Sequence, residues 1–128
     1  MSNNSHQFQN QPFINLETFR KNGDGVKTPV WFVEADGHFY VRTVADSWKV
    51  KRIHNNSQVK VVPCKSQGQP IGEWVSATAR HLRDSDREAE INILFNQKYG
   101  LQKRFFDLMG KFRKDQMTTL EIELSGVQ

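Results

Sequence analysis

At 128 residues with a formal net charge of +4, the chain is sized for one domain whose core needs no covalent staple. No apolar run reaches the ~18 residues of a membrane span, no signal-peptide pattern opens the sequence, and the single cysteine, Cys64, excludes an internal disulfide. A cytoplasmic protein with no membrane partner is expected. The pI near 9.4 invites a nucleic-acid reading, but no basic run accompanies the modest excess, so no nucleic-acid partner is expected. The four histidines are scattered and zinc-ligand spacing is absent, so no metal site is expected.

Residues 1–12, rich in Asn, Gln and Ser, read as a disordered tail, and residues 13–128 as the folded domain. Ile14–Arg20 is a first strand, and Lys21-Asn22-Gly23-Asp24-Gly25 a turn. Val26–Glu34 resumes the strand pattern with Val26, Thr28, Val30 and Phe32 on one face. Ala35-Asp36-Gly37 is the next turn and His38–Thr43 a third strand. Asp46 is placed to cap a helix reaching about Asn55, with Val50 and Ile53 toward the core. Val59–Cys64 is a fourth strand. Gly72–Leu82 is a fifth, with Val75, Ala77 and Ala79 on one face. The period then changes. Ser85-Asp86-Arg87-Glu88 reads as a capping box, and the helix runs to Gly100, a plausible C′ glycine. Leu101, Phe105, Leu108, Met109 and Phe112 predict an apolar face on a further helix, and Lys111, Arg113 and Lys114 suit its C-terminal end. Thr119–Leu124 alternates as a sixth strand, with Leu120, Ile122 and Leu124 inward. Six short strands and few helices predict a small antiparallel β-barrel, mainly β. A ligand would then lie at its mouth or in a groove between subunits.

Chemistry concentrates between Arg42 and Lys60. Five basic residues (Arg42, Lys49, Lys51, Arg52, Lys60) stand there against one acidic residue, Asp46, an excess equal to that of the whole chain. Thr43 and Ser47 add hydroxyls at a strand-to-helix junction. Helix-start amides with hydroxyl and ammonium donors suit a phosphate; the alternative is a solvated basic helix face. Proline within Thr28-Pro29-Val30-Trp31-Phe32 points to an edge or a bulge, which either leaves backbone free for a ligand or blunts an edge strand. Trp31, Trp48 and Trp74 suit planar-ligand stacking or a dimer interface as well as core packing. Arg42 and Arg80 would pair with phosphate or with carboxylates. Cys64 reads as a small, semi-buried residue rather than a nucleophile. No catalytic dyad is evident, so catalytic residues are not assigned, and any chemistry would belong to a bound cofactor.

The ordered set Ile14-Asn15-Leu16-Glu17-Thr18-Phe19-Arg20, Thr28-Pro29-Val30-Trp31-Phe32, Arg42-Thr43-x-Ala45-Asp46-Ser47-x-Lys49-Val50-Lys51-Arg52-Ile53, Val61-x-Pro63-Cys64 and Ala77-Thr78-Ala79-Arg80 resembles the pyridoxamine 5′-phosphate oxidase-like superfamily of flavin-binding split β-barrels. Within it the chain looks most like the branch of F420-dependent oxidoreductases. The resemblance implies a six-stranded split barrel and a homodimer with two cofactor sites at the subunit interface. It implies FMN or the deazaflavin F420 as cofactor, and a flavin- or deazaflavin-dependent oxidoreductase acting on a small-molecule substrate. A non-catalytic FMN or tetrapyrrole carrier is the alternative on the same barrel. It also implies that Thr43, Ser47 and Lys49 hold the cofactor phosphate, with Lys51 and Arg52 beside them, and that Pro29, Val30 and Trp31 flank the ring system. Ser47 stands where some relatives carry a basic residue. The substrate-binding arginine and histidine motif of the founding oxidase is not evident.

Overall fold

A computed structural model describes residues 4–108 and 117–125. Seven strands form one antiparallel sheet: β1 (Phe13–Phe19), β2 (Gly25–Trp31), β3 (Val33–Ala35), β4 (His38–Val44), β5 (Gln58–Cys64), β6 (Val75–Leu82) and β7 (Met117–Leu124), in the order β2-β1-β5-β6-β7-β4-β3. β2 and β3 are consecutive in the chain, separated only by Phe32, yet lie at opposite ends of that order. The sheet therefore curls until its two ends meet at Phe32. This closes the barrel and accounts for the seventh strand, because the single Val26–Glu34 strand of the sequence reading divides here.

The division has a definite cause. Phe32 leaves the β1 ladder before β3 joins the β4 ladder, so its backbone needs other partners. Tyr99 supplies them. Its hydroxyl accepts from Phe32 N–H at 2.9 Å and lies 2.8 Å from Phe32 C=O and from Pro12 C=O. Burial pushes the Tyr99 phenol well above its usual pKa, so it stays neutral and able to donate. Lys98 donates to the same Phe32 carbonyl at 2.8 Å.

Period-two alternation sends one face of each strand inward. Ile14, Leu16, Val41, Val59, Val61, Ala77, Ala79, Leu120 and Ile122 fill the barrel with Phe8, Phe32 and Phe39. These three phenyl rings meet edge to face, with centroids 4.7–6.3 Å apart. The expected tail is therefore ordered over residues 4–12. Asn4–Phe8 forms a 3-10 turn, and Phe8 sits in the core at 2 % exposure. Gln7 fastens the turn, donating to Glu73 C=O at 2.9 Å and accepting from Glu73 N–H at 2.8 Å. A buried aromatic residue offsets the ordering entropy that the polar composition alone would not.

Two α-helices complete the fold among the described residues. α1 (Trp48–Asn55) plugs one mouth of the barrel with Val50 and Ile53. α2 (Ser85–Leu108) packs Ile91, Phe95 and Tyr99 against Val33, Tyr40 and Leu82 on the outer face. Its N-cap is Asp84 rather than Ser85. The Asp84 carboxylate accepts from the amides of Asp86 and Arg87, and its backbone carbonyl accepts the first helical bond, from Glu88. α2 bends at Gly100, whose φ of +48° favours glycine, as the sequence reading expected of a helix end there. α2 reaches Leu108, so Leu101, Phe105 and Leu108 of the predicted face are helical, while Met109, Phe112 and the cations Lys111, Arg113 and Lys114 lie outside the described residues. Cys64 is buried and free, and burial pushes its thiol pKa up, so it is a packing residue with an unreactive thiol.

Candidate functional site

The inward rows of four strands turn polar where the barrel ends under α1. Leu16 is followed two residues on by Thr18, Val41 by Thr43, and Ala79 by His81, while Leu120 is preceded by Thr118. The period of two places each polar residue on the same face as its apolar neighbour, so the mouth carries a polar rim. Thr43 faces Thr118 across the β4–β7 ladder, and both are buried. Thr18 accepts a 2.6 Å hydrogen bond from Nε of Arg52. A helix with charged residues thus rests on a rim able to hold them.

α1 opens without a side-chain cap. Its N-cap residue is Ser47, not Asp46, and the Ser47 side chain makes no capping bond. The Ser47 amide donates to Val44 C=O, and its carbonyl accepts from Lys51. Its Oγ is shut off from solvent with no hydrogen-bond partner among the described residues. Such an orphaned hydroxyl costs about 1–3 kcal/mol, and no side chain at the N-cap answers the helix-start amides that an α-helix leaves without an internal partner. The start of α1 is thus a set of donors without an acceptor.

The cations around it repeat this. Every ion pair among the described residues involves Arg80, Arg87 or His38. Lys49 makes no hydrogen bond or ion pair among the described residues. Burial first, then the nearby Arg52 guanidinium, lowers its pKa below the usual lysine value. Burial and the charge of Arg20 act in the same direction on Arg52. Like charges gathered in a partly desolvated place, without a carboxylate to answer them, are unfavourable until an anion arrives. Lys51 is exposed, with its ammonium 4.6 Å from the centre of the Trp48 ring, and Trp48 is itself 70 % exposed. Ser47, Lys49 and Arg52, with Thr18 beneath them and Arg20 beside them, fit a phosphate by their donor chemistry. Lys51 stands at the edge of this group, and Thr43 on the rim below.

Pro29, Val30 and Trp31 lie elsewhere. β2 pairs with β1 alone, so Pro29 occupies an edge strand as its missing N–H requires. Pro29 is exposed, Val30 packs against the barrel core, and Trp31 stacks on Tyr99 with centroids 4.3 Å apart and planes 9° apart. Trp31 is opposite Phe13, and Val26 is opposite Thr18. Five residues of strand separate the two positions, about 17 Å. Pro29, opposite Asn15, stands nearer, about 10 Å along the ladder from the Thr18 position, so the predicted ring-flanking residues are set apart from the donor cluster along β2. Beside Pro29, across the ladder, Asn15 is buried and leaves Oδ1 without a partner while its amide donates to Gly68 C=O at 2.8 Å.

Thr18, Arg20 and Asn15 are candidate site residues that sequence reasoning did not single out. The available signal was polarity at positions 15 and 18 of β1, where both residues are buried. Of the other residues considered, Arg42 donates to Thr119 Oγ1 at 3.2 Å. Arg80 pairs with Glu121, the carboxylate alternative of the two the sequence left open. Trp74 takes the Lys27 ammonium over its ring at 5.3 Å.

No protein-family model and no curated protein matches the sequence. Solved structures do match in shape. A candidate pyridoxamine 5′-phosphate oxidase from Listeria innocua superposes with a TM-score of 0.70 at 10% identity, over 96% of this chain and 91% of that one. The fold is the pyridoxamine 5′-phosphate oxidase-like split barrel. The same split barrel is seen in HutZ, the heme storage protein of Vibrio cholerae, at a TM-score of 0.70 and 13% identity, over 94% of this chain and 87% of that one. An FAD-binding protein from Mesorhizobium loti gives 0.65 and 15%, over 94% and 86%. At these identities the split-barrel likeness is one of fold alone. Among the described residues no helix is long and apolar enough to cross a membrane.

Proposed function

We propose that this split barrel binds a phosphate-bearing flavin or deazaflavin, FMN or F420, and that as a homodimer it transfers a hydride between that cofactor and a small molecule. The observation that carries the reading is the start of α1, where the Ser47 hydroxyl and the Lys49 ammonium stand with Arg52, and among the described residues no acceptor meets the hydroxyl and no carboxylate pairs with the cations. A phosphate there would satisfy the hydroxyl, the free amides and the cations together. The bound cofactor would supply the hydride chemistry. The protein's part is then to hold the phosphate through Ser47, Lys49 and Arg52 and to offer the Pro29–Trp31 edge to the ring, with the two parts brought together across a subunit interface.

The choice between cofactors turns on charge. F420 carries a longer, polyanionic tail, and Lys51 and Arg20 lie beside the minimal phosphate contacts to meet it, with Lys60 further along β5. We favour F420 on that ground. The test is the absorption spectrum and mass of whatever co-purifies, followed by titration with both cofactors at rising salt. F420 should bind more tightly and lose affinity more steeply with ionic strength. FMN binding at least as tightly, with Lys51→Ala and Arg52→Ala leaving F420 affinity untouched, would turn the reading to FMN. Cofactor binding without turnover across a panel of hydride acceptors would turn it to a carrier.

A further inference from the structure

The phosphate reading leaves one polar cluster at the barrel mouth unused. His54 lies on the last turn of α1 and His81 near the end of β6. They are 27 residues apart in sequence, yet Nε2 of His54 is 3.2 Å from Nδ1 of His81. Their rings stack loosely, with centroids 5.3 Å apart and planes 28° apart. The far nitrogen of His81, Nε2, is hydrogen-bonded to Oγ1 of Thr118, a buried residue of β7. His81 therefore has one ring nitrogen tied to the rigid β6–β7 ladder and the other turned toward His54.

Two imidazole nitrogens at this spacing either share a proton or grip one metal ion. Bonds of 2.0–2.1 Å at a tetrahedral angle place two ligating nitrogens about 3.3 Å apart, and the observed gap already matches. A hydrogen bond at the remote ring nitrogen is also what fixes the tautomer and orientation of a metal-bound histidine. In the tautomer that donates Nε2–H to Thr118, Nδ1 of His81 presents its lone pair toward His54. The exposed His54 ring would turn so that its Nε2 lone pair meets that of His81 at one point. We propose that His54 and His81 form a two-imidazole site for a late first-row divalent cation such as Zn2+, Ni2+ or Cu2+, with Thr118 positioning His81 and the remaining coordination positions open to water or a ligand oxygen.

Imidazole is the side chain these ions favour. Burial first, then Arg83 and His54, favour the neutral, ligating form of His81, with Glu88 acting in the opposite direction. Among the described residues no group of three or more metal-ligating side chains exists. The site is accordingly an open, two-ligand one, with an expected dissociation constant on the order of micromolar rather than the far tighter binding of closed structural sites.

The test uses the untagged full chain, stripped of metal and titrated with Zn2+ near neutral pH by calorimetry and by NMR of the imidazoles. One ion should bind per protomer, shifting the ring signals of His54 and His81 but not those of His38. His54→Gln and His81→Gln should each weaken binding by about tenfold or more. Thr118→Val should weaken it several-fold, and His38→Gln should leave it unchanged. The NMR arm on the unaltered protein holds even where a variant folds poorly. Absence of Zn2+ binding at about a hundred micromolar, shifts confined to His6 or His38, or unchanged affinity in the His54→Gln/His81→Gln double variant would overturn the proposal.

Discussion

Ser47 and Lys49 carry opposite consequences for stability and for binding, and that opposition makes their role measurable. Ser47 holds a buried hydroxyl with no partner among the described residues. Ser47→Ala should therefore leave the ligand-free protein as stable or more stable by about 1 kcal/mol, while weakening the phosphate-bearing cofactor several-fold. Lys49 has its pKa lowered by burial and then by Arg52, so the folded chain holds this proton less tightly than the unfolded one. The cost is present at neutral pH and is relieved only as pH rises through the lowered value toward that of an ordinary lysine. Lys49→Met should then hold or raise the melting temperature of the ligand-free protein and cut cofactor affinity by about tenfold or more. Melting curves and titrations on the same samples check both. Variants that lose stability and keep affinity would mark these residues as structural. Lys98 gives a separate pH prediction. Its ammonium lies 3.8 Å from the centre of the Phe32 ring and bonds to the Phe32 carbonyl, both of which favour the charge. Burial outweighs them and brings its pKa from 10.5 down to about 8. Between those two values the unfolded chain binds more protons, so the Lys98 contribution to stability should rise with pH across that window and be flat below it. Urea midpoints of the parent and of Lys98→Met, compared across the window, should differ in slope. Parallel curves would show that the Lys98 proton is not perturbed.

The elements that sequence made legible are those whose signal is local. Strands β1, β4, β5, β6 and β7 alternate on their own residues, and helix α1 declares itself through Val50 and Ile53. The division of β2 from β3 was not legible, because what replaces the ladder at Phe32 is the hydroxyl of Tyr99, 67 residues away. Nor was the docking of the N-terminal turn, since nothing around Phe8 shows that its ring meets Phe32 and Phe39. The basic excess at α1 was visible, but its missing counter-charge was not. That required knowing that Glu121 is taken by Arg80, and Asp36 and Glu90 by Arg87. The N-terminal turn supplies the test at this scale. Phe8→Ala should cost about 3–5 kcal/mol, far beyond what a disordered tail permits, and denaturant unfolding measures it. A loss below about 0.5 kcal/mol would return residues 4–12 to a tail.

For the molecule as a whole, Pro29 and Trp31 stand about 10–17 Å along the β1–β2 ladder from the Thr18 position under α1, so on the proposed reading one protomer would not present a complete site. A homodimer would complete it. Trp48, 70 % exposed beside the first turn of α1, offers the kind of aromatic surface that interfaces enrich. Light scattering at micromolar concentration should return twice the chain mass, and Trp48→Arg should shift the population toward monomer with weaker cofactor binding. A monomer that still binds cofactor tightly would contradict the shared site. The central claim is that the start of α1 anchors a phosphate-bearing cofactor. It is tested most directly by equilibrium titration of FMN and of F420 into the parent and into the Ser47→Ala/Lys49→Ala double variant. At least one cofactor should bind the parent and lose about tenfold or more in the double variant. Binding by the double variant equal to that of the parent, or by neither protein, would contradict it.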